Sequence, residues 1–479
     1  MIHRHPRVLA PMTLALALAA SGPVRPGAVL AQTPPAATGP IASRYQDAAD
    51  RLIDAALADS TAYWRLGRMA DAFGGRLSGS ANLERAIDWI LSEMRKDGLD
   101  DVHAEPVMVP HWVRGRESAE LVRPRLHPLH MLGLGGSVGT PPGGITAPVL
   151  VVGSFDELTR RAAEARGKIV LFDFPFSPTL PPFKAYGEAV QYRVNGPSAA
   201  ARVGAKACLI RSVASFSIQS PHTGVMHYDS TVARIPAAAL SVEDAELLHR
   251  LQDRGEPVVV RLRMGARMLP DAPSRNVVAE LRGSERPDEV VVVGGHIDAW
   301  DVGEGAMDDG GGAFSAWQAV RLMQRLGLRP RRTVRVVLWT NEENGSRGAR
   351  AYRDDHAADL GKHVLAIESD NGVFAPAGFG VVGSDSALAL AKQVGPLLER
   401  IGAGTIEPAP EGPEADVEPL VDRGVPGMGL EVDASRYFWY HHSAADTFDK
   451  IDAGEMARCV AALAVMAYVV ADLPEPLPR

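Results

Sequence analysis

From Ser274 onward, short apolar runs alternate with stretches of helical spacing, and this alternation constrains the fold more than any other feature of the chain. Residues 290–293, 334–340, 364–367 and 425–432 are nearly free of polar side chains, whereas residues 310–326 between the first two runs have the pattern of a helix. A strand that is apolar on both sides must be covered on both sides, as happens in a parallel sheet with helices on each face. The expected class is therefore α/β: a doubly wound, mostly parallel sheet flanked by helices. In such sheets functional groups gather beyond the carboxyl ends of the strands.

Those ends carry suitable chemistry. The first run leads to His296 and Asp298, which share one side of an extended segment. His296 can bind a metal while Asp298 orients its imidazole, although a simple hydrogen-bonded pair would explain the triplet as well. Asp308 and Asp309 then precede Gly310-Gly311-Gly312 and a helix. Acids suit any helix N-terminus, but glycines also admit close approach of a ligand, and a carboxylate there can bridge two cations.

The next run ends in Glu342-Glu343. Adjacent carboxylates repel unless a cation or proton intervenes, so one can ligate while the other moves protons, even though such pairs are common on surfaces. Asp370 follows the third run, and His441-His442 follow the fourth within an aromatic stretch from Tyr437 to Tyr440. Each cluster has an ordinary explanation alone; four in succession at one sheet edge indicate a site.

Imidazole and carboxylate donors without thiolate suit zinc, with cobalt or manganese as substitutes. Five ligands exceed what one catalytic zinc with an open position takes, which favours two ions sharing a carboxylate at a typical separation of about 3.5–4 Å. Spacing alone does not choose between His441 and His442.

The remainder of the 479 residues divides by composition. His3, Arg4, His5 and Arg7, an apolar run over residues 8–20 and small residues ending at Ala31 read as a signal peptide, 1–31. That run is shorter than the roughly 20 residues of a membrane span, as is the apolar stretch 459–470, expected to be a closing buried helix. Residues 32–41 form a linker, and 42–120 the N-terminal, helical part of a catalytic domain. Residues 121–273, with short strands among Pro- and Gly-rich loops, are expected to be a separate β-rich domain, and 274–479 complete the catalytic one.

Removal of the signal peptide, which holds three arginines and no acid, takes the formal charge from −8 to −11. This excludes a nucleic-acid partner on electrostatic grounds. Cys208 and Cys459 are too few for a disulfide scaffold or a thiolate zinc site. His103, His111, His127 and His227 are read as structural or surface residues.

Several stretches resemble the di-zinc aminopeptidase family of secreted metallo-exopeptidases. They are GGRLSGSANLERAI from Gly74, VHAEPVMVPHW from Val102, HIDAWDVGEGAMDDGGG from His296, WTNEENG from Trp339, ESDNG from Glu368 and YHHSAADT from Tyr440. The resemblance implies that Asp308 bridges two zincs, with His296 and Asp370 completing one site and Glu343 and His442 the other. His442 is preferred because the family's ligand stands four residues before the acid of the final Asp-Thr pair, here Asp446. His441 would lie near the oxyanion.

It further implies an unusual peptide geometry between Asp308 and Asp309, a middle region of protease-associated type inserted into the catalytic domain, and a homodimer. The expected reaction is hydrolysis of a small peptide by a metal-bridging hydroxide, with Glu342 as general base. Some members of the family cleave dipeptides with free ends and others trim longer peptides. A one-zinc glutaminyl cyclase and a metal-free receptor share the scaffold, but here all five ligand positions and the base are filled. The expected destination is the periplasm or the extracellular space.

Overall fold

The computed structural model describes residues 40–410 and 412–479. The expected signal peptide lies outside the described residues, as does nearly all of the linker. Pro40 and Ile41, expected as the linker's last residues, already belong to the helix Pro40–Leu57.

The chain builds two eight-stranded sheets. Strand β1 (Asp100–Val113) belongs to the first. The second takes β2 (Glu117–Arg123), β3 (His127–Leu129), β4 (Met131–Gly133), β5 (Ile145–Val152), β6 (Ile169–Phe172), β7 (Ala207–Arg211), β8 (Ala237–Leu240) and β9 (Val259–Met264). The first sheet then resumes with β10 (Arg267–Leu281), β11 (Arg286–His296), β12 (Arg332–Trp339), β13 (His363–Glu368), β14 (Pro376–Val382), β15 (Thr405–Pro408) and β16 (Gly427–Val432).

Its order is β1-β10-β12-β11-β13-β16-β14-β15. The central neighbours β12, β11, β13 and β16 run parallel, while β1, β10 and β14 pair antiparallel. The sheet is thus mixed, with four of its seven pairings parallel: the three central ones and that of β14 with β15 at one edge. Alternation along β11 explains the apolar runs. Val291 and Val293 pack with the helices Gly311–Arg325 and Ala453–Asp472 on one face, and Val290 and Val292 pack with Ala349, Tyr352 and Leu420 on the other. The apolar stretch 459–470, expected to be too short to span a membrane, belongs to the 20-residue helix Ala453–Asp472, which is long and apolar enough to cross one; it is mostly buried in this core, the place expected for a closing helix.

The expected domain boundaries at 121 and 273 fall inside β2 and β10. The second sheet spans Glu117 to Met264 and is reached by the antiparallel ribbon of β1 and β10, which continues to Val113 and Arg267. Nor is this region only β-rich. Its strands β5, β6, β7 and β8 are parallel, and it carries the helices Pro182–Arg202 and Val242–Asp253. The first of these hides in the sequence because Gly187, Gly196 and Pro197 interrupt it; Pro197 is tolerated in a buried position against the sheet. Cys208 and Cys459 are both free and buried.

Candidate metal centre

Because β12, β11, β13 and β16 are parallel, their carboxyl ends share one edge. His296 closes β11, Glu342 and Glu343 follow β12, Asp370 follows β13, and His441 and His442 follow the short helix Tyr437–Tyr440 beyond β16. Asp308 stands in the tight turn Ala306–Gly310 at the head of the helix Gly311–Arg325. The peptide between Asp308 and Asp309 is cis. This turn lies directly over β11: a Cβ on Gly295 would meet Asp309 Oδ2 at 2.3 Å, so only glycine fits there.

The five expected ligands converge. His296 Nε2 lies 3.2 Å from Asp308 Oδ1 and 3.3 Å from Asp370 Oδ1. The other oxygen, Asp308 Oδ2, is 3.4 Å from His442 Nε2, which is 3.0 Å from Glu343 Oε2. Asp308 therefore turns one oxygen to each side. His296 Nε2, Asp308 Oδ2, Asp370 Oδ1 and both Glu343 oxygens are buried without a hydrogen-bond partner. Unpaired buried polar atoms are costly, and these belong to four of the expected ligands; a cation on each side of Asp308 would supply what they lack.

Electrostatics agree. Burial, reinforced by Asp308, holds the Glu343 carboxyl well above its ordinary range. Burial also raises Asp370, with His296 opposing. Burial pushes Glu342 up to about 8, with Asp370, Asp298 and Asp308 adding and His296 opposing.

Two groups of residues lie within ligand reach of one another: Asp308, His441 and His442, and His296, Asp309 and Asp370. Asp309, however, already uses both oxygens, accepting from His296 N at 3.1 Å and Gly312 N at 3.0 Å. It braces the turn, whereas Asp308 keeps an oxygen free. His441 stacks on His442 with ring centres 3.5 Å apart, and its Nε2 is 3.8 Å from Asp308 Oδ2.

Asp298 departs from its expected part. The His296 Nδ1 partner is the Asp298 main-chain oxygen at 3.0 Å, and the carboxylate lies 3.7 Å away. That carboxylate instead accepts from Glu342 N at 3.1 Å and from Ser78 Oγ at 3.2 Å, so it fixes the backbone of the glutamate pair. An imidazole N–H needs only one acceptor, and the carbonyl two residues on is nearer.

Residues 276–467 match the description Peptidase family M28. Over 440 residues, 91% of this chain and 92% of the relative, the sequence is 50% identical to carboxypeptidase Q of Mus musculus. The chain belongs to peptidase family M28. A peptidase M28 precursor from Shewanella amazonensis superposes with a TM-score of 0.88 at 35% identity, covering 91% of this chain and 99% of its own. A zinc aminopeptidase from Bacillus subtilis, at 19% identity and a TM-score of 0.62, shares the fold over 87% of this chain and 98% of its own.

This M28 metallo-exopeptidase also draws on residues that sequence reasoning missed. Above the ligands lies a cavity of about 650 Å³, lined from the second sheet by Phe183, Tyr186, Arg193, Val225 and His227. His227, read from the sequence as a structural or surface residue, is exposed and borders this cavity. Arg193 is buried, with Nη1 3.4 Å from His442 Nδ1 and 3.5 Å from Thr223 O, and its Nε has no partner. Among the described residues it meets no carboxylate. On the opposite side Arg76, read from the sequence only as part of a turn, is fully buried and donates to Gly74 O, Ile297 O, Glu304 O and Gly305 O. It ties down the loop between His296 and Asp308. No spacing rule would have marked Arg193, whose partner stands 249 positions later.

Proposed function

We propose that the chain is an exported di-zinc exopeptidase that hydrolyses dipeptides or short peptides. His296, Asp308 and Asp370 would hold one zinc and Asp308, Glu343 and His442 the other. The observation that carries this reading is the set of unpartnered ligand atoms on both sides of Asp308. When bound, such a pair of ions acts as a Lewis acid and lowers the pKa of bound water from 15.7 towards about 7.

The chain's own residues supply the rest. The Glu342 carboxylate borders the cavity, with Oε2 3.9 Å from His296 Nε2, and is the group placed to take a proton from water and return it to the leaving amine. Asp298 holds its backbone. His441, beside the shared carboxylate, is positioned to donate to the developing oxyanion. Arg193, a buried cation without a carboxylate partner, is suited to a substrate's free carboxylate, which favours short peptides with free ends over trimming of longer chains. The second sheet, which closes the cavity from above, is read as an inserted domain of protease-associated type. Export rests on the N-terminal sequence, and carboxypeptidase Q is the relative whose name suits this reading.

Two measurements test it together. The purified chain should carry two zincs, and Glu342→Gln should keep both while losing turnover of an unblocked dipeptide by roughly 10²–10⁴-fold. Full activity in that variant would remove Glu342 from the mechanism; a single zinc would favour cyclase-type chemistry.

A further inference from the structure

We propose that His222, in a loop of the second sheet, is a positioning residue for the Glu343 and His442 half of the centre, so that this half holds its ion tightly only while the contact of His222 with His441 is made. The inference rests on the two-ion reading above.

The two halves are braced differently. His296 is held by Asp309 Oδ2 and Asp298 O, and the turn bearing Asp308 is held by Asp446, whose carboxylate accepts from the backbone N–H groups of Ala306, Met307 and Asp308. All of these belong to the first sheet and its loops. The His441-His442 segment instead hangs from a loop of the second sheet. His222 Nδ1 lies 2.6 Å from His441 O, Thr223 N donates to His442 O at 2.8 Å, and His222 pairs with Ser443 as an antiparallel bridge.

Since a carbonyl only accepts, the His222 proton must sit on Nδ1. His222 is itself anchored, its N donating to Ser212 Oγ at 2.8 Å, and Ser212 Oγ in turn reaches Leu240 O on β8. The chain of contacts thus runs from the core of the second sheet to the carbonyl of His441, the residue before the ligand His442, whose own carbonyl is held by the adjacent Thr223 N. His442 has φ +59°, a conformation its neighbours must impose.

The test is zinc titration of the metal-free full-length chain against a chromophoric chelator, for the native protein, His222→Leu, His222→Asn and Ser212→Ala. The native chain should take up two ions in two steps. His222→Leu should weaken one step by roughly 10–100-fold, the range seen when groups supporting a ligand are removed, and leave the other unchanged. It should be the step that Glu343→Gln removes and Asp370→Asn retains. His222→Asn, which can still donate to His441 O, should recover most of the loss.

Two steps that weaken equally, or a His222→Leu isotherm identical to the native one, overturn the inference alone. A native chain that binds one ion overturns the two-ion reading and this inference with it. If melting of the metal-free form shows that His222→Leu does not fold, Ser212→Ala decides: a several-fold loss confined to the same step supports the proposal, and no loss overturns it.

Discussion

The two sides of Asp308 offer the same kinds of ligand but differ in what holds them. On one side, His296 closes one strand and Asp370 follows its parallel neighbour in the same sheet, and the hydrogen-bond partners of His296 come from loops of that sheet. On the other, Glu343 comes from that sheet, whereas the segment carrying His442 is fastened to a loop of the second sheet through His222 and Thr223. A ligand set at strand ends inherits the rigidity of the sheet. A ligand on a segment shared between two sheets inherits the fit between them. Residues that follow the strands of the second sheet also line the cavity, so one half of the candidate metal centre is tied to the cavity wall.

The sharpest way to break this comparison is to remove the residue common to both sides. Asp308→Asn should abolish turnover and weaken both ions, because the amide keeps a single, uncharged oxygen where the carboxylate turns a charged oxygen to each side; metal analysis after dialysis reads this directly, and retention of either ion at native affinity would show that Asp308 serves one side only. Glu343→Gln and Asp370→Asn should then separate the sides, each losing one zinc while the chain keeps the other, with activity far below native in both. A smaller effect is expected from Arg193→Met. Losing a charge-assisted contact costs about 1.5–3 kcal/mol, or roughly 10–150-fold in kcat/KM. That loss should appear with an unblocked dipeptide and vanish with its carboxamide; equal losses on both substrates would assign Arg193 to His442 rather than to substrate.

How much of this was legible from sequence follows the same division. The half built on strand ends was readable, since apolar runs locate strands and the rule for open α/β sheets says where to look beyond them. His296, Glu342, Glu343 and Asp370 were found that way. His442 was not separable from His441 by spacing; it needed the family pattern, and the distances now place its Nε2 nearer to Asp308 and Glu343 than His441 Nε2 is to Asp308. The contribution of the second sheet and its connections was not legible at all. Arg193 and Tyr186 sit on a helix disguised by two glycines and a proline, and His222 meets its partner across 219 positions. Long-range pairing of this kind leaves no local periodicity to detect. The central parallel pairings were legible because their buried strands show continuous apolar runs; the edge strand β1 and its neighbour β10, which pair antiparallel, are half exposed along the ribbon and carry mixed patterns.

The mildest prediction concerns the turn from Gly74 to Ser80, which the sequence offers simply as a bend. Ser78 is buried, donates to Asp298 Oδ2 at 3.2 Å and accepts from Asn341 Nδ2 at 3.0 Å, so it joins the carboxylate that holds Glu342 N to the residue preceding Glu342. None of these atoms belongs to the second sheet or its loops. Ser78→Ala removes both of these hydrogen bonds but leaves Asp298 bonded to Glu342 N, so the part of the loss that reaches Glu342 is set at about 0.5–1.5 kcal/mol. The expected result is a fall in kcat of roughly 2–12-fold, with KM and both steps of the zinc isotherm unchanged. If the zinc isotherm shifts instead, the network around Asp298 supports the His296 side of the centre as well as the general base, and the rigidity ascribed to that side depends on this buried hydroxyl as much as on the strand end.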